Sequence, residues 1–360
     1  MDYVKENAPG AVRYADVVLE GGGMRCIAHV GALCVAEARG YRWQHCAGTS
    51  AGALVAALLA AGYTAQELRS LLGTTDFARF ARERGLKGSW GMQLVRLLVR
   101  GGLHTGNALE SFLRDLLNAR GKRTFGDLVV PGQERTPKTS HFRYRLLVIA
   151  SDITNGRMLR LPQDCLLHGQ DPDEMDIALA VRMSASIPFF FTPIVRRDLA
   201  GQIYRVVDGG LLSNFPISIF DVPGTPAYPT LGFRLVDSPL QPDCPPKLRT
   251  RETLLRFSRE LLNTMLSAHD RLYLDDHAYV RTIAIPVYGI SGTRFDLHAD
   301  QIELLYRSGE RAAEQFFARW DFPTYRAIYR SLQPHIGRQE RLHNAMRIQA
   351  ALPDPGVSQE

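Results

Sequence analysis

The order of apolar and polar positions near the amino terminus repeats one unit twice: an apolar strand, a glycine-rich turn and an apolar helix. Val17–Leu19 is apolar and largely β-branched, three glycines follow it, and Cys26–Ala38 then carries apolar residues at helical spacing. A second strand at His45–Ala47 leads to another glycine turn, and Ala51–Ala61 consists almost wholly of Ala, Leu and Val. Two successive strand–turn–helix units predict an α/β fold with a mostly parallel sheet covered by helices.

The same reading predicts further elements along the chain. Strands are expected at Arg145–Ala150, Ile203–Val207, Thr230–Leu235 and Arg281–Ile285, and helices at Met175–Met183, Glu252–Leu274 and Ala299–Arg319. Polar or Pro-rich breaks fall at Pro131–His141 and Asp237–Arg249. Because strand signals recur on both sides of each break, we interpret the breaks as surface loops of one domain.

Composition and charge exclude several classes of protein. With 360 residues of which 45% are hydrophobic, the chain can bury a large core, which excludes a disordered chain and a disulfide scaffold. Lys and Arg number 43 against 37 acidic residues, a net charge of +6. This balance lacks the dense basic clustering of a nucleic-acid binder, so no nucleic-acid partner is expected. It suits an anionic membrane surface without requiring one.

Cysteine usage and the apolar stretches indicate where the protein acts. The five cysteines include no C-x-x-C pair, so we expect neither a metal site nor a disulfide framework, and a reducing compartment such as the cytoplasm. The amino terminus lacks the apolar region of a secretory signal, and the most apolar stretch, residues 47–62, is too short to span a bilayer. Any membrane contact is therefore expected to be peripheral. Delivery into another cell without a cleaved signal stays open.

The pentapeptide Gly48-Thr49-Ser50-Ala51-Gly52 matches the G-x-S-x-G pattern of a nucleophile elbow. A sharp turn between strand and helix strains the central residue, and the small flanking residues remove the resulting clash. The helix that begins at Ala51 would point its positive end at the serine and favour developing negative charge. The competing interpretation is that Ser50 is an inert N-cap of a core helix.

The run Gly21-Gly22-Gly23-Met24-Arg25 directly follows the first predicted strand. Glycines let backbone N–H groups approach a ligand oxygen closely, as the tetrahedral intermediate of acyl transfer requires. We therefore predict an oxyanion hole from the amides of Gly21, Gly22, Gly23 and Met24. A phosphate-binding loop fits less well, because no Gly-Lys-Ser/Thr follows and Cys26 replaces the third glycine of a dinucleotide fingerprint. Arg25 is interpreted either as an electrostatic partner of a phosphate head-group or as a surface ion pair.

A base is needed to activate the serine, and an aspartate is the strongest candidate. None of the ten histidines lies in a glycine-flanked turn after a strand, and His29 is expected to pack in the core of the first helix. By contrast, Val206-Val207-Asp208-Gly209-Gly210 displays a carboxylate at a strand end beside two glycines. Asp208 is therefore the predicted base, and a dry pocket would raise its pKa toward that role. The alternative is a plain Asp-Gly turn.

Taken in order, the three motifs GGGMR, GTSAG and DGG resemble the patatin-like phospholipase family. The resemblance runs from about Asp16 to Trp320. It includes further blocks at Ala28–Leu33, Ala51–Gly62, Ser184–Pro188, Asn214–Pro216 and Arg281–Leu297.

This resemblance implies a lipid acyl hydrolase with a Ser–Asp dyad, without cofactor or metal, on a three-layer α/β/α fold. Ser50 would be the nucleophile, Asp208 the base, and Gly21–Gly23 the oxyanion loop. It also implies a catalytic core at 16–222, a continuation of the same domain at 223–333, and a charged tail at 334–360. The expected partner is a phospholipid or another acyl-ester lipid, and the need for a protein activator stays open.

One departure from the family concerns Cys26, which stands where the family usually has glycine. A side chain larger than that of glycine at this position could prevent the first helix from packing closely against the sheet. A thiol near a helix N-terminus also predicts a lowered pKa and sensitivity to oxidation.

Three other points stay open. A catalytically weak lipid-binding or regulatory member, and an acyltransferase that uses the same dyad, are the alternatives to a hydrolase. The stretch from Phe77 to His104 carries six basic residues against Glu83 alone, interleaved with Phe, Trp and Leu. It predicts an interfacial helix or a lid, with an ordinary cover helix as the alternative.

Overall fold

The structure, a computed structural model, describes residues 12–80, 100–222, 224–237, 276–292 and 297–331. The predicted helix Glu252–Leu274, the loop at Asp237–Arg249 beyond its first residue, the tail at 334–360 and most of the basic stretch after Phe77 lie outside these residues.

The elements within these ranges are as follows. The strands are β1 (Arg13–Leu19), β2 (Tyr41–Thr49), β3 (Gly102–His104), β4 (Leu146–Asp152), β5 (Arg157–Leu161), β6 (Phe189–Phe191), β7 (Ile194–Arg197), β8 (Ile203–Asp208), β9 (Thr230–Val236) and β10 (Thr282–Pro286). The α-helices are α1 (Ile27–Ala38), α2 (Ala51–Ala60), α3 (Ala65–Thr74), α4 (Asn107–Ala119), α5 (Ile177–Ser184), α6 (Asp276–Val280), α7 (Ala299–Phe317) and α8 (Phe322–Ser331). Short 3₁₀ turns connect several of them.

A central mixed sheet organises the fold. Its strands follow the order β10-β9-β1-β2-β4-β8-β7, and β5 also pairs with β4. The five strands from β10 to β4 are mutually parallel, whereas β5, β8 and β7 pair antiparallel with their neighbours. The predicted α/β fold is therefore confirmed, with a sheet that is parallel on one side and antiparallel on the other. Both β9 and β10, from beyond residue 222, belong to this sheet.

Both faces of the sheet are buried, as expected for parallel strands that read as continuous apolar runs. Val17 and its neighbour Val18 point to opposite faces, and each belongs to a different apolar cluster. The larger cluster packs α1, α2, α3 and α7 against the sheet. On the other face, Phe215, Ile217 and Phe220 cover the strands.

Helix α1 packs closely against α7, and Cys26, which raised a doubt about the packing of the first helix against the sheet, is buried. A Cβ on Gly31 would lie 2.0 Å from the carbonyl oxygen of Tyr306, and one on Gly309 would lie 1.9 Å from that of Ala28. The two glycines therefore let the helix backbones approach each other directly. Cys26 is only 4% exposed and packs within the large apolar cluster. The structure thus accommodates the larger side chain by burying it.

Candidate active site

Two strands meet end to end along one edge of β4, and this arrangement positions the candidate nucleophile and base. The pairing of β5 with Val148–Asp152 occupies the opposite edge of β4. On the shared edge, Thr49 at the end of β2 pairs with Ile149, and Asp208 at the end of β8 pairs with the next residue, Ala150. Since Ser50 directly follows Thr49, the sheet brings the serine beside the aspartate. The two motifs lie 158 residues apart in the sequence.

Ser50 lies in a strained turn between β2 and α2, as the sequence predicted. Its backbone has φ 54° and ψ −124°, in the region that non-glycine residues seldom adopt. The glycines on both sides are required by close backbone contacts. A Cβ on Gly48 would lie 2.5 Å from the backbone of Gly52, and one on Gly52 would lie 2.4 Å from the carbonyl oxygen of Leu19.

We expect Gly52→Ala to destabilise the protein by about 1–3 kcal/mol, because the new methyl group would press against the backbone of β1. Gly73→Ala is the matched control, since Gly73 lies in α3 with open space around its Cα. The control is expected to be neutral or stabilising by up to about 1 kcal/mol. Urea unfolding of both variants measures the difference. Equal stabilities would contradict the close contact at the turn.

Ser184, for which the sequence predicted no role, holds the turn in place. Its hydroxyl accepts a hydrogen bond from the Ser50 N–H at 2.8 Å and donates to the Ile149 carbonyl at 2.5 Å. The Thr49 hydroxyl donates to the Ser213 carbonyl at 3.0 Å. The strained backbone is therefore tied to β4 and to the segment that follows β8. From the sequence, Ser184 was notable only as part of a family block.

Asp208 is buried, and its two carboxylate oxygens have different surroundings. Oδ1 accepts a hydrogen bond from the Gly210 N–H at 2.8 Å. Oδ2 is buried without a hydrogen bond of regular geometry to the described residues. Burial raises the pKa of Asp208 to about 6, although the nearby Ser50 hydroxyl and the Gly210 N–H both act to lower it. Because desolvation is the largest of these effects, the pKa of Asp208 stays above the ordinary value of an aspartate.

The glycine-rich run after β1 offers fewer free amides than the sequence predicted. The Gly21 N–H donates to the Asn214 carbonyl at 3.1 Å, and the Met24 N–H donates to the Gly292 carbonyl at 3.0 Å. The N–H groups of Gly22 and Gly23 make no hydrogen bond to the part of the chain that the structure describes. Both residues are also partly exposed. Of the four amides predicted to form an oxyanion hole, those of Gly22 and Gly23 are therefore the two that have no hydrogen-bond partner among the described residues.

Neighbouring groups fix the shape of this loop. The Asn214 amide donates to the Gly21 carbonyl at 3.1 Å and to the buried Glu20 carboxylate at 3.3 Å. Gly23 has φ +55°, and a Cβ there would lie 1.9 Å from the Gly292 carbonyl oxygen. The loop therefore requires glycine at position 23, where the backbone turns in the left-handed region. No role for Asn214 was predicted.

Arg25 lies at the rim of the loop. Its Nε donates to the Gly22 carbonyl at 3.2 Å, and its guanidinium lies 3.9 Å from the Asp237 carboxylate. The Asp237 side chain is 77% exposed, whereas that of Arg25 is 25% exposed. An ion pair this long and this exposed holds the arginine weakly. The guanidinium is therefore available to an anionic group at the mouth of the site.

Two predictions about other titratable groups have opposite outcomes. Burial raises the pKa of the Cys26 thiol to about 12, so the expected lowered pKa is wrong. The thiol at this helix start is enclosed by apolar side chains, and desolvation outweighs the helix dipole. The prediction that His29 packs in the core is confirmed, since its side chain is fully buried. Burial lowers the pKa of His29 to about 3, which keeps the ring neutral.

Among the described residues, no group of His, Cys, Asp and Glu side chains is arranged to hold a metal ion. Within the same residues, no helix combines the length and the apolar character that crossing a bilayer requires.

Several known proteins are similar to this chain in sequence. The family model described as patatin-like phospholipase matches residues 17–221. An uncharacterised protein of Bacillus subtilis, YqhO, is 37% identical over 313 residues, which are 86% of this chain and all of that protein. A probable lipid hydrolase of invertebrate iridescent virus 6 is 28% identical over 57% of this chain and 63% of its own length.

Solved structures are similar at lower identity. VipD from Legionella pneumophila is 17% identical with a TM-score of 0.49, over 86% of this chain and 67% of VipD. ExoU from Pseudomonas aeruginosa, in its complex with SpcU, is 18% identical with a TM-score of 0.45, over 86% of this chain and 52% of that chain.

Proposed function

Since the chain belongs to the patatin-like phospholipase family, we propose that it hydrolyses fatty-acyl esters of lipids through an acyl-enzyme on Ser50, with Asp208 as the base. The observation that carries this proposal is the register of β4. Along β4, the partner of Thr49, which precedes the strained Ser50, is followed directly by the partner of the buried Asp208, and this supports the pairing of the two side chains. The printed description of the viral relative, a probable lipid hydrolase, supports the same class of reaction.

Acylation begins with proton transfer from the Ser50 hydroxyl to Asp208 Oδ2. The serine oxygen attacks the ester carbonyl, and the negative charge that develops on the carbonyl oxygen is stabilised by the N–H groups of Gly22 and Gly23. The proton on Asp208 then passes to the leaving alcohol or lysolipid oxygen as the carbon–oxygen bond breaks. The fatty acyl group remains on Ser50.

Deacylation repeats these steps with water as the nucleophile. Asp208 accepts a proton from the water that attacks the acyl-enzyme, and then returns it to the Ser50 oxygen as the fatty acid leaves. A carboxylate of ordinary pKa, near 3.8, would be a weak base for either step. Burial brings the pKa of Asp208 to about 6 and so improves the match near neutral pH.

The proposal for the substrate class rests on Arg25, which lies beside the glycine-rich loop. Arg25 holds a weak ion pair with an exposed carboxylate, and a phosphate head-group would compete for the guanidinium with two or more charge-assisted hydrogen bonds. We therefore propose phospholipids or lysophospholipids as substrates, taken from a membrane surface by a peripherally bound enzyme. No cofactor takes part in this scheme.

We expect the rate to fall as the pH drops through about 6. Because Asp208 acts as a base, only its ionised form is active, and protonation removes activity by about tenfold per pH unit below the pKa. The measurement is kcat/KM against pH with a soluble short-chain ester, for which membrane binding plays no part. An acid limb centred near 3.8, the ordinary pKa of an aspartate, would contradict the proposed environment of the base.

The products separate this proposal from its alternatives. The purified protein and its Ser50→Ala variant are incubated with vesicles of mixed phospholipids, and the lipids are analysed by mass spectrometry. Free fatty acid and lysophospholipid, formed only by the unsubstituted protein, support a hydrolase. Transfer of the acyl group to an added alcohol in preference to water would indicate an acyltransferase. No product from either protein would indicate a lipid-binding or regulatory member.

A further inference from the structure

The hairpin formed by β7 and β8 presents a face that combines apolar and basic side chains. Val195 pairs with Arg205 and Arg197 pairs with Ile203 across the two strands, so these four side chains share one face. Val195 is 56% exposed and Ile203 is 43% exposed, and both arginines are exposed as well. At the tip, Leu199 is 85% exposed. We call these five residues the hairpin face.

One further exposed apolar residue lies beside the hairpin face. The N–H of Ile153 donates to the Arg205 carbonyl at 3.0 Å, and its side chain is 45% exposed. Leu166 and Leu167 do not belong to this group, because the ring of the next residue, His168, stacks on Tyr204 at 3.6 Å and so places their turn on the other face of the hairpin. Isolated exposed apolar residues are common on proteins, but a group of this size on one side of the molecule marks an interaction surface.

The hairpin lies at the same end of the sheet as the candidate active site, although Ile203 and Arg205 alternate with Asp208 along β8 and therefore point to the opposite face of the sheet. Ser50 follows the carboxyl end of β2, and Asp208 is the last residue of β8. β8 therefore approaches the site from beyond the carboxyl edge of the parallel strands. Its first residue, Ile203, lies five positions before Asp208, which corresponds to about 17 Å along the strand. A membrane bound to the hairpin would thus lie beyond the carboxyl edge of the parallel strands, the edge at which Ser50 and Asp208 lie.

The charge of the hairpin face favours an anionic surface. Neither Arg197 nor Arg205 forms an ion pair with a described residue, and the Arg197 guanidinium donates only to the Gly201 carbonyl of the hairpin turn. The neighbouring arginines Arg157 and Arg160 are each paired with an aspartate. One carboxylate, Asp198, lies in the turn, and there it accepts a hydrogen bond from the Gln202 N–H.

We propose that the hairpin face binds the surface of an anionic phospholipid bilayer and so brings the active site to its lipid substrate; this inference rests on the proposed function. Leu199, Val195 and Ile203 would enter the boundary between head-groups and acyl chains, while the two arginines contact lipid phosphates. A second copy of this chain fits less well. If two copies paired through the edge of β7, their exposed arginines would lie close together and repel each other. Charged side chains on edge strands commonly prevent association in this way.

The test measures binding separately from hydrolysis. Ser50→Ala protein, which keeps the surface intact, is sedimented with vesicles of phosphatidylcholine, with and without phosphatidylglycerol. We expect binding to the anionic vesicles, weakened on the order of tenfold by Arg197→Glu with Arg205→Glu. Leu199→Asp alone is expected to weaken it as well. It changes a side chain so exposed that the fold is unaffected.

A matched control changes one exposed aromatic and one exposed arginine at the opposite edge of the sheet, Tyr279→Ser with Arg319→Glu. This variant should bind vesicles as the Ser50→Ala protein does. In a background with Ser50 present, hairpin variants should hydrolyse a soluble ester normally but vesicle lipid slowly.

The inference is overturned if the hairpin variants bind anionic vesicles normally, if no variant binds them at low salt, or if the substitutions instead break up a dimer. If the unsubstituted protein showed no activity on the soluble ester, that result would count against the proposed function and not against membrane binding by the hairpin face.

Discussion

Replacing Ser50 with alanine is expected to lower ester hydrolysis by about four orders of magnitude or more, because no other group in the scheme can carry the acyl chain. The fold should be retained. Alanine keeps the Cβ of serine, and the hydrogen bond from residue 50 to Ser184 uses the backbone N–H. The loss should therefore appear in kcat with little change in stability.

Turnover of a soluble ester and urea unfolding measure the two effects. Ser70→Ala is the control, since Ser70 lies on the exposed side of α3. It should leave both quantities unchanged. Substantial activity in the Ser50→Ala variant, beyond what contamination explains, would remove Ser50 from the mechanism and with it the acyl-enzyme.

Replacing Asp208 with asparagine is expected to reduce kcat by about a thousandfold and to stabilise the protein at neutral pH. The aspartate has a pKa of about 6 in the folded protein and near 3.8 when unfolded. The folded state therefore binds the extra proton between these values, and the stability of the parent protein falls as pH rises from about 4 to about 6. Asparagine carries no charge and avoids this loss, which amounts to on the order of 2–3 kcal/mol above pH 6.

Comparing the two proteins at pH 4 and pH 8 isolates this effect, because other titrating groups are the same in both. The stability advantage of Asp208→Asn should be present at pH 8 and small at pH 4. The double variant Ser50→Ala with Asp208→Asn should be no less active than Ser50→Ala alone, since the two groups act as one unit. Additive losses, or an asparagine variant with normal turnover, would contradict the dyad.

Much of the fold could be predicted from local patterns. α1, α2, β9 and α7 were expected at nearly their observed positions, because each is a long apolar run or a strongly periodic segment. β1 was expected only at Val17–Leu19, whereas it begins four residues earlier, at Arg13. The short strands β3, β6 and β7 were not predicted, since three or four residues carry no clear periodicity. Helix α3 was missed although Thr64 and Glu67 form a capping box at its start. That signal was available in the sequence.

For the candidate site, the sequence predicted which residues are involved better than it predicted their hydrogen bonds and pKa values. Glycines and small residues around Ser50 and Asp208 indicate backbone geometry, and the structure places both residues beside β4. The carbonyls of Asn214 and Gly292 determine which amides of the glycine-rich run lack a partner. Both residues are far from this run in sequence, so their contacts could not be predicted. The thiol of Cys26 was misjudged for a similar reason: its pKa depends on surrounding apolar side chains that only the tertiary fold brings together.

The end-to-end meeting of β2 and β8 along β4 has a consequence for how the proposed active site can diversify. The proposed nucleophile and base are spaced by the backbone ladder of a single strand, so their separation does not depend on the length or composition of any loop. Segments around the mouth can therefore be exchanged, lengthened or adapted to new lipids while proton transfer keeps its geometry. Conversely, a slip of β8 by one residue would turn Asp208 to the opposite face of the sheet and end catalysis without unfolding the protein.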